Sequence, residues 1–82
     1  MNDQEVRDKF EWGWTSYRWL KWARAKDGRK LYGANFRTIT RVATLGWSTL
    51  YIQFWAKHPI AALRTIANSG QDPIRFSGQV VN

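Results

Sequence analysis

The residues of this chain whose chemistry stands out are aromatic and cationic, and most of them lie between positions 11 and 30. The stretch 11–23 reads EWGWTSYRWLKWA, and a series of lysines and arginines continues to position 30. Indole rings beside cations suit a bilayer surface, where the ring lies among headgroups and the cation meets anionic lipid. The predicted lipid-headgroup surface consists of Trp12, Trp14, Trp19, Trp22, Arg18, Lys21, Arg24, Lys26, Arg29 and Lys30.

The residue types that catalysis and metal binding require are scarce in this sequence. There is no Cys, and the single histidine, His58, has no acidic residue near it in the sequence that could orient its ring. No phosphate-binding loop of the G-x-x-x-x-G-K type occurs. The sequence therefore predicts a protein that is not an enzyme, with no catalytic residues, no metal site and no cofactor. His58, directly before Pro59, is predicted to mark a helix boundary.

Length and charge indicate a protein that depends on partners. The chain has 82 residues, with 13 Lys and Arg against 6 Asp and Glu, which gives a net charge of +7. A core of this size rarely contributes more than about 3–5 kcal/mol without disulfides, metals or partners. An excess of positive charge suits nucleic acid, an anionic membrane surface or an acidic protein. The polar start MNDQEVRD predicts no secretory signal or transit peptide.

The segment 1–30 is predicted to be an aromatic and basic interfacial helix followed by a turn. Asp3 suits the N-cap position, and acidic residues near the first turn favour the helix dipole. Apolar side chains recur at three- and four-residue intervals, which is the spacing of one helical face. The pair Asp27-Gly28 predicts the turn. The apolar face consists of Val6, Phe10, Trp14, Tyr17 and Leu20.

The segment 31–58 is predicted to contain a single membrane-spanning helix. Positions 38–56 read TITRVATLGWSTLYIQFWA, and a helix of this length rises about 28 Å, against a hydrocarbon core of about 30 Å. Because Thr, Ser and Gln interrupt the apolar run, an amphipathic helix in a soluble core remains an open alternative. Small residues would let a neighbouring helix approach closely. The predicted helix-packing residues are Ala43, Gly46, Trp47, Leu50 and Phe54.

The rest of the chain is predicted to form a short amphipathic helix and an extended tail. Pro59 suits the first turn of a helix over 59–70, which the run Asn68-Ser69-Gly70 would end. The segment 71–82 has no helical period and is predicted to be an extended arm that only a neighbouring subunit orders. The predicted fold class is all-α and not an independent globular domain: an interfacial helix, one transmembrane helix, a third helix and a tail.

The stretch 10–58 resembles subunit f of mitochondrial ATP synthase. That family combines a motif F-x-x-G-aromatic-x-x-Y with a turn containing Lys and Gly, one membrane helix and a short basic tail. The resemblance implies a non-catalytic, single-pass subunit of the membrane sector, with its N-terminal side in the matrix. The matching residues are Phe10, Gly13, Trp14 and Tyr17 in the motif, Lys26 and Gly28 in the turn after a one-residue shift, and Lys57 and His58 after the span.

A second resemblance is to the helix-turn-helix of the tetracycline-repressor family. In this chain only Trp47 and Ser48 lie between Gly46 and Thr49, which is two residues fewer than the family pattern has there. In the family, the residues at this place build the turn and begin the recognition helix. No large ligand-binding domain follows. The resemblance implies a small basic DNA-binding protein. The matching residues are Gly33, Thr38, Val42, Ala43, Gly46, Thr49, Leu50, Tyr51, Phe54, Lys57 and Leu63.

Taken together, these patterns predict a structural accessory subunit of a large membrane complex. The host implied by the first resemblance is the membrane sector of ATP synthase in the mitochondrial inner membrane. The expected partners are other subunits of the complex and an anionic lipid such as cardiolipin, with no small-molecule substrate. The alternative is a helix-turn-helix protein of the cytoplasm or nucleoid, whose partner would be nucleic acid.

Overall fold

The computed structural model describes residues 11–39 and 49–82, and most of these residues belong to a three-stranded antiparallel sheet. The strands lie side by side in chain order, so each pairs with its neighbour in sequence. A short α-helix and a 3-10 helix follow the sheet. The elements are β1 (Glu11–Trp19), β2 (Lys30–Ile39), β3 (Thr49–Ala56), α1 (Pro59–Asn68) and the 3-10 helix (Pro73–Phe76).

Side chains of β2 and β3 alternate between a buried and an open face of the sheet. In β2 the side chains of Ala34 and Phe36 are fully buried, whereas Asn35 between them is exposed. Register pairs Ala34 with Ile52, so the even-numbered residues of both strands share one face. Phe54, on that face of β3, is also fully buried. Aromatic and β-branched residues fit such a half-buried pleated surface well.

Strand β1 contains a bulge that shifts its alternation by one residue. Trp14 pairs with Phe36, but the next paired residue is Ser16, opposite Asn35, so Thr15 is the extra residue. An extra residue on one strand leaves the ladder intact on either side of it. The bulge therefore brings Trp14 and Tyr17 onto the same face of the sheet, although they are separated by three positions and not by two.

Helix α1 covers the buried face of the sheet. Pro59 occupies its first turn and His58 is its N-cap residue, as the sequence predicted, and Gly70 beyond its end has a φ of 74°. The side chains of Ala62, Leu63 and Ile66 are fully buried. They share one hydrophobic cluster with the buried residues of β2 and β3, and this cluster is the core of the protein.

The predicted all-α architecture is wrong. The segment predicted as an interfacial helix contains β1, and the predicted membrane-spanning helix over 38–56 has strand at both of its described ends. Across residues 11–39 and 49–82, no helix combines the length and the apolar character that crossing a bilayer requires. Positions 40–48, in the middle of the predicted span, lie outside the described residues. The sheet forms because alternating burial on two faces suits these residues better than one helical stripe.

The predicted extended tail is also wrong, because the chain itself holds these residues. The segment includes the 3-10 helix, whose cap Asp72 accepts a hydrogen bond from the N–H of Ile74 at 3.0 Å. It then runs parallel to β3, where the N–H of Trp55 donates to Gln79 at 2.8 Å and that of Val81 to Trp55 at 2.9 Å. The outer edge of β3 is therefore paired within the chain.

The last residue, Asn82, links three parts of the fold. Its Oδ1 accepts hydrogen bonds from the main-chain N–H of Lys57 at 2.7 Å and of His58 at 3.0 Å. Its Nδ2 donates to the carbonyl oxygen of His58, and its own carbonyl oxygen accepts from Nε of Arg29 at 2.8 Å. Asn82 thus connects the start of α1 with the end of the β1–β2 connection.

The first prediction concerns the contact between α1 and the sheet. Replacing Leu63 by Ala removes a fully buried side chain from the core, which costs about 2–5 kcal/mol of unfolding free energy. Arg64, the next residue, is exposed, and Arg64→Ala is expected to change stability by no more than about 0.5 kcal/mol. Urea unfolding of both variants measures the difference. Equal stabilities would show that α1 does not pack as described.

The second prediction concerns the order of the C-terminal segment in the isolated chain. Asn82→Ala removes the side-chain hydrogen bonds to the Lys57–His58 backbone, at about 0.5–1.5 kcal/mol each. Because all three bonds are exposed to solvent, urea unfolding should show a loss near the lower end of their sum, about 1.5 kcal/mol. When amide hydrogen exchange is measured on the isolated wild-type chain, the N–H of Val81 should be protected, because it donates a hydrogen bond to Trp55. An unprotected Val81 would mean that the segment needs another molecule to become ordered.

Candidate functional site

The fold divides the predicted aromatic and basic surface between two faces of the sheet. Trp12 and Trp14 lie on the face that α1 covers, where both are partly buried against the hydrophobic core. Arg18, by contrast, lies on the open face opposite Gly33. The ten residues predicted to form one lipid-headgroup surface therefore do not form a single surface. Two of the tryptophans are structural, and only some of the cations share a face.

Trp19 is the centre of a small cation–aromatic cluster at the end of β1. Its ring is 43% exposed, and Nζ of Lys30 lies 4.3 Å and Nζ of Lys21 5.3 Å from its centroid. Both distances are within the range of a cation–π attraction. This cluster is on the helix side of the sheet. Each of the two ammonium groups is therefore already attracted to an aromatic ring within the chain.

The connection between β1 and β2 carries the remaining predicted cations. Lys26 and Arg29 form a small antiparallel bridge, with reciprocal main-chain hydrogen bonds of 2.9 Å. Between them, Asp27 and Gly28 have φ angles of 55° and 75°, so Asp27-Gly28 forms the turn that the sequence predicted. The side chains that the connection exposes are those of Lys21, Trp22, Arg24, Lys26 and Asp27.

Beyond the end where Leu31 is buried and Trp55 is half-buried, the open face of the sheet is a polar surface that no described helix covers. Arg18, Asn35, Arg37 and Tyr51 are exposed on it. Apart from Glu11 at the start of β1, the three strands contain no Asp or Glu. Because guanidinium groups keep their charge at every physiological pH, Arg18 and Arg37 bring positive charge to this face.

Tyr51 lies against the open face because Gly33 has no side chain. A Cβ atom added at position 33 would come within 2.8 Å of Cζ of Tyr51 and would overlap its hydroxyl oxygen. The phenol ring therefore extends across β2 over the backbone of Gly33. Nε2 of Gln53 donates to the Tyr51 hydroxyl at 3.3 Å. The ring remains 49% exposed, as expected for a side chain with one side on the sheet and the other in solvent.

A pocket of about 360 Å³ lies at one end of the open face. Trp55, the next open-face aromatic residue of β3 after Tyr51, forms one wall. The C-terminal segment forms another wall and the turn of the β1–β2 connection the rest. Arg29 is fixed there by its hydrogen bond to Asn82. The lining residues are Lys26, Asp27, Arg29, Trp55, Gly78 and Val80.

The predicted helix-packing residues have other positions or lie outside the described residues. Ala43, Gly46 and Trp47 belong to positions 40–48. Leu50 and Phe54 belong to β3 and contribute to the core from a strand, so their assignment to a helix is wrong. Within residues 11–39 and 49–82, no group of three or more His, Asp or Glu side chains lies together in an arrangement that suits a metal ion.

The open face as a unit was not predicted from the sequence. Its members come from three strands, and those in β2 and β3 alternate with buried residues of the same strand. The signal that would have found it is the period of two in LYGANFRT and TLYIQFW, in which polar or large aromatic residues alternate with core residues. The missed residues are Asn35, Arg37, Tyr51, Gln53 and Trp55.

Comparisons with protein families, curated proteins and solved structures find no match to this chain. The two resemblances therefore stay predictions from short motifs. For the helix-turn-helix, the residues of the second motif half from Thr49 to Phe54 lie in β3, so the helices of that motif are not formed there. The argument for function depends on the geometry of this chain alone.

On the buried side of the sheet, the described residue Tyr32 has a clearly shifted pKa. Burial raises the pKa of the Tyr32 phenol above its ordinary value of 10.0, and the nearby Tyr17 raises it further. The ring of Tyr32 lies 6.4 Å from that of Tyr17 and 5.9 Å from that of Phe54, between centroids. Because the folded protein holds this proton more tightly than the unfolded chain, Tyr32 contributes a stability that is complete below the unfolded pKa.

The third prediction follows from this shift. As pH rises above about 10 and through the raised folded pKa, the contribution of Tyr32 is lost and the wild-type protein becomes less stable. Tyr32→Phe cannot ionise, so its unfolding free energy should fall less steeply over that range. Urea unfolding of both proteins from neutral to alkaline pH gives the two slopes. Parallel slopes would contradict the burial of the phenol.

Proposed function

We propose that this protein binds nucleic acid through the open face of its sheet. The observation that carries the proposal is that the part of this face which no described helix covers presents Arg18, Arg37, Asn35 and Gln53 together. The face continues into the basic connection that contains Lys26. A positively charged, polar and uncovered surface of this kind suits a polyanion better than it suits an apolar partner.

The side-chain types on this face match those that recognise nucleic acids. Arginine binds phosphate through paired N–H donors and also binds guanine edges, whereas asparagine and glutamine donate to and accept from adenine. Sheets and β-ribbons are known to present such side chains to nucleic acid. Here the period of two in each strand places the side chains in rows, with Arg18 and Gln53 on either side of Gly33.

Nucleic acid was the alternative partner class in the sequence analysis, although for a different fold. The accessory-subunit prediction depended on a membrane-spanning helix that the described residues do not contain. The basic excess of the chain, with a net charge of +7, does not depend on that helix. It supports phosphate binding whether the chain is helical or a sheet.

The fourth prediction tests the open face with a matched pair of arginine variants. Arg18→Gln removes one cation from the face, and Arg64→Gln removes one from the exposed side of α1. Binding to a labelled 20-nucleotide DNA, single-stranded and as a duplex, is measured by fluorescence anisotropy over a series of salt concentrations. If Arg18 contacts a phosphate, the slope of log K against log salt should fall by about 0.7–0.9 in Arg18→Gln. The slope should be unchanged in Arg64→Gln.

The same titration can also contradict the proposed function. Equal effects of the two variants would show that charge alone, and not the open face, attracts DNA. If the chain instead fails to bind DNA at low salt and binds anionic phospholipid vesicles even at high salt, the result would show that the ligand is a lipid surface and not nucleic acid. Circular dichroism of each variant controls for folding.

A further inference from the structure

We infer that the nucleic acid is held single-stranded on this face, with unstacked bases on the rings of Tyr51 and Trp55. The inference depends on the proposed function and specifies its ligand. It starts from the position of Tyr51, whose ring extends over Gly33 and keeps half of its surface in solvent. A flat aromatic ring that is supported from below by backbone is a platform on which a planar base can stack.

The support of the Tyr51 ring comes from β2 and β3. Gly33 in β2 leaves space beneath it, and Gln53 in β3 donates a hydrogen bond to its hydroxyl. Arg18 in β1 flanks Gly33 on the other side. The ring is therefore oriented before a ligand binds, so less conformational entropy is lost when a base stacks on it. A guanidinium group beside the platform supplies a phosphate contact.

Trp55 provides a second aromatic position on the same strand and face. The C-terminal segment holds its backbone on both sides through the hydrogen bonds to Gln79 and Val81. Its ring borders the pocket of about 360 Å³, which Lys26, Arg29 and the acidic Asp27 also line. An aromatic wall with an excess of positive charge around it suits a nucleotide, with the base against the indole and the phosphate at the cations.

An intact duplex cannot stack its bases on both Tyr51 and Trp55. The two residues are four positions apart, so their Cα atoms lie about 13 Å from each other along the strand. Bases within a duplex stack on each other about 3.4 Å apart, so their faces are covered by neighbouring bases. A side chain can stack on a base only where the strand is unpaired and its bases are separated. Two such rings in a row with Gln53 between them favour an extended single strand.

The experiment compares one sequence in single-stranded and paired form. The probes are a labelled 12-nucleotide mixed-sequence DNA, the RNA of the same sequence, and each annealed to its complement. The wild-type chain is expected to bind a single strand, of DNA or of RNA, at least about tenfold more tightly than the duplex at the same salt. Tyr51→Ala should lose about tenfold in single-strand affinity and leave duplex affinity unchanged. Tyr51→Phe keeps the ring but loses the hydrogen bond from Gln53, so its loss in single-strand affinity should be clearly smaller than that of Tyr51→Ala.

A matched aromatic control lies on the other side of the sheet. Tyr17 is 40% exposed, similar to Tyr51, but it is on the face that α1 covers. Tyr17→Ala should therefore leave single-strand affinity unchanged. Quenching of Trp55 fluorescence, taken as the difference between the wild type and Trp55→Phe, should accompany single-strand binding and not duplex binding. Circular dichroism shows whether each variant is folded.

The outcomes separate this inference from the proposed function. If single strand and duplex bind equally, and Arg18→Gln weakens both while Tyr51→Ala weakens neither, the inference is overturned and the proposed function stands. Equal losses in Tyr17→Ala and Tyr51→Ala would also overturn it. If the wild-type chain binds neither form, the proposed function itself fails, and the inference fails with it.

Discussion

The structure of residues 11–39 and 49–82 depends on the burial of one face of a three-stranded sheet by a helix of ten residues. Phe36 and Phe54 lie on that face, and Leu63 and Ile66 of the helix pack against it. Because side chains alternate along a strand, burying these two phenylalanines also fixes which residues point the other way. A register slip of one residue would exchange the two faces and expose the core. The direction of every open-face side chain is therefore set by the core.

The same constraint leaves a surface available for a partner. The described part of the chain provides one helix, a 3-10 helix and a C-terminal strand-like segment, and these cover one face of the sheet and the outer edge of β3. The residues on the uncovered face have a different composition from the core, because they are cationic, amide-bearing or large and aromatic. The fold can thus tolerate an open face without exposing an extensive apolar surface there.

Stability and the candidate site share several residues. The hydrogen bond from Arg29 to Asn82 helps to hold the C-terminal segment, and the same arginine lines the pocket. Gly33 leaves β2 without a side chain at a position where Tyr51 then lies. Trp55 takes part in the pairing that closes the edge of β3 and also forms the pocket wall. Binding surfaces built on paired strands in this way are held more rigidly than surfaces on loops.

The sequence by itself determined the features that local chemistry decides: the helix that begins at Pro59, the Asp27-Gly28 turn and the excess of positive charge. Tertiary structure decided whether the other segments are helix or strand. Because of the bulge at Thr15, Trp14 and Tyr17 share one face of β1 although they are three positions apart. Three-residue spacing is also the spacing of one helical face, so the sequence predicted a helix there. In β3, the apolar Trp55 lies on the open face and is partly covered by the C-terminal segment. Both faces of this strand therefore carry apolar residues, which hides the polar–apolar period of two that is typical of a strand. The contact of Tyr51 with Gly33 depends on the register between β2 and β3, and pairing across a sheet has no signal in the order of residues along one strand.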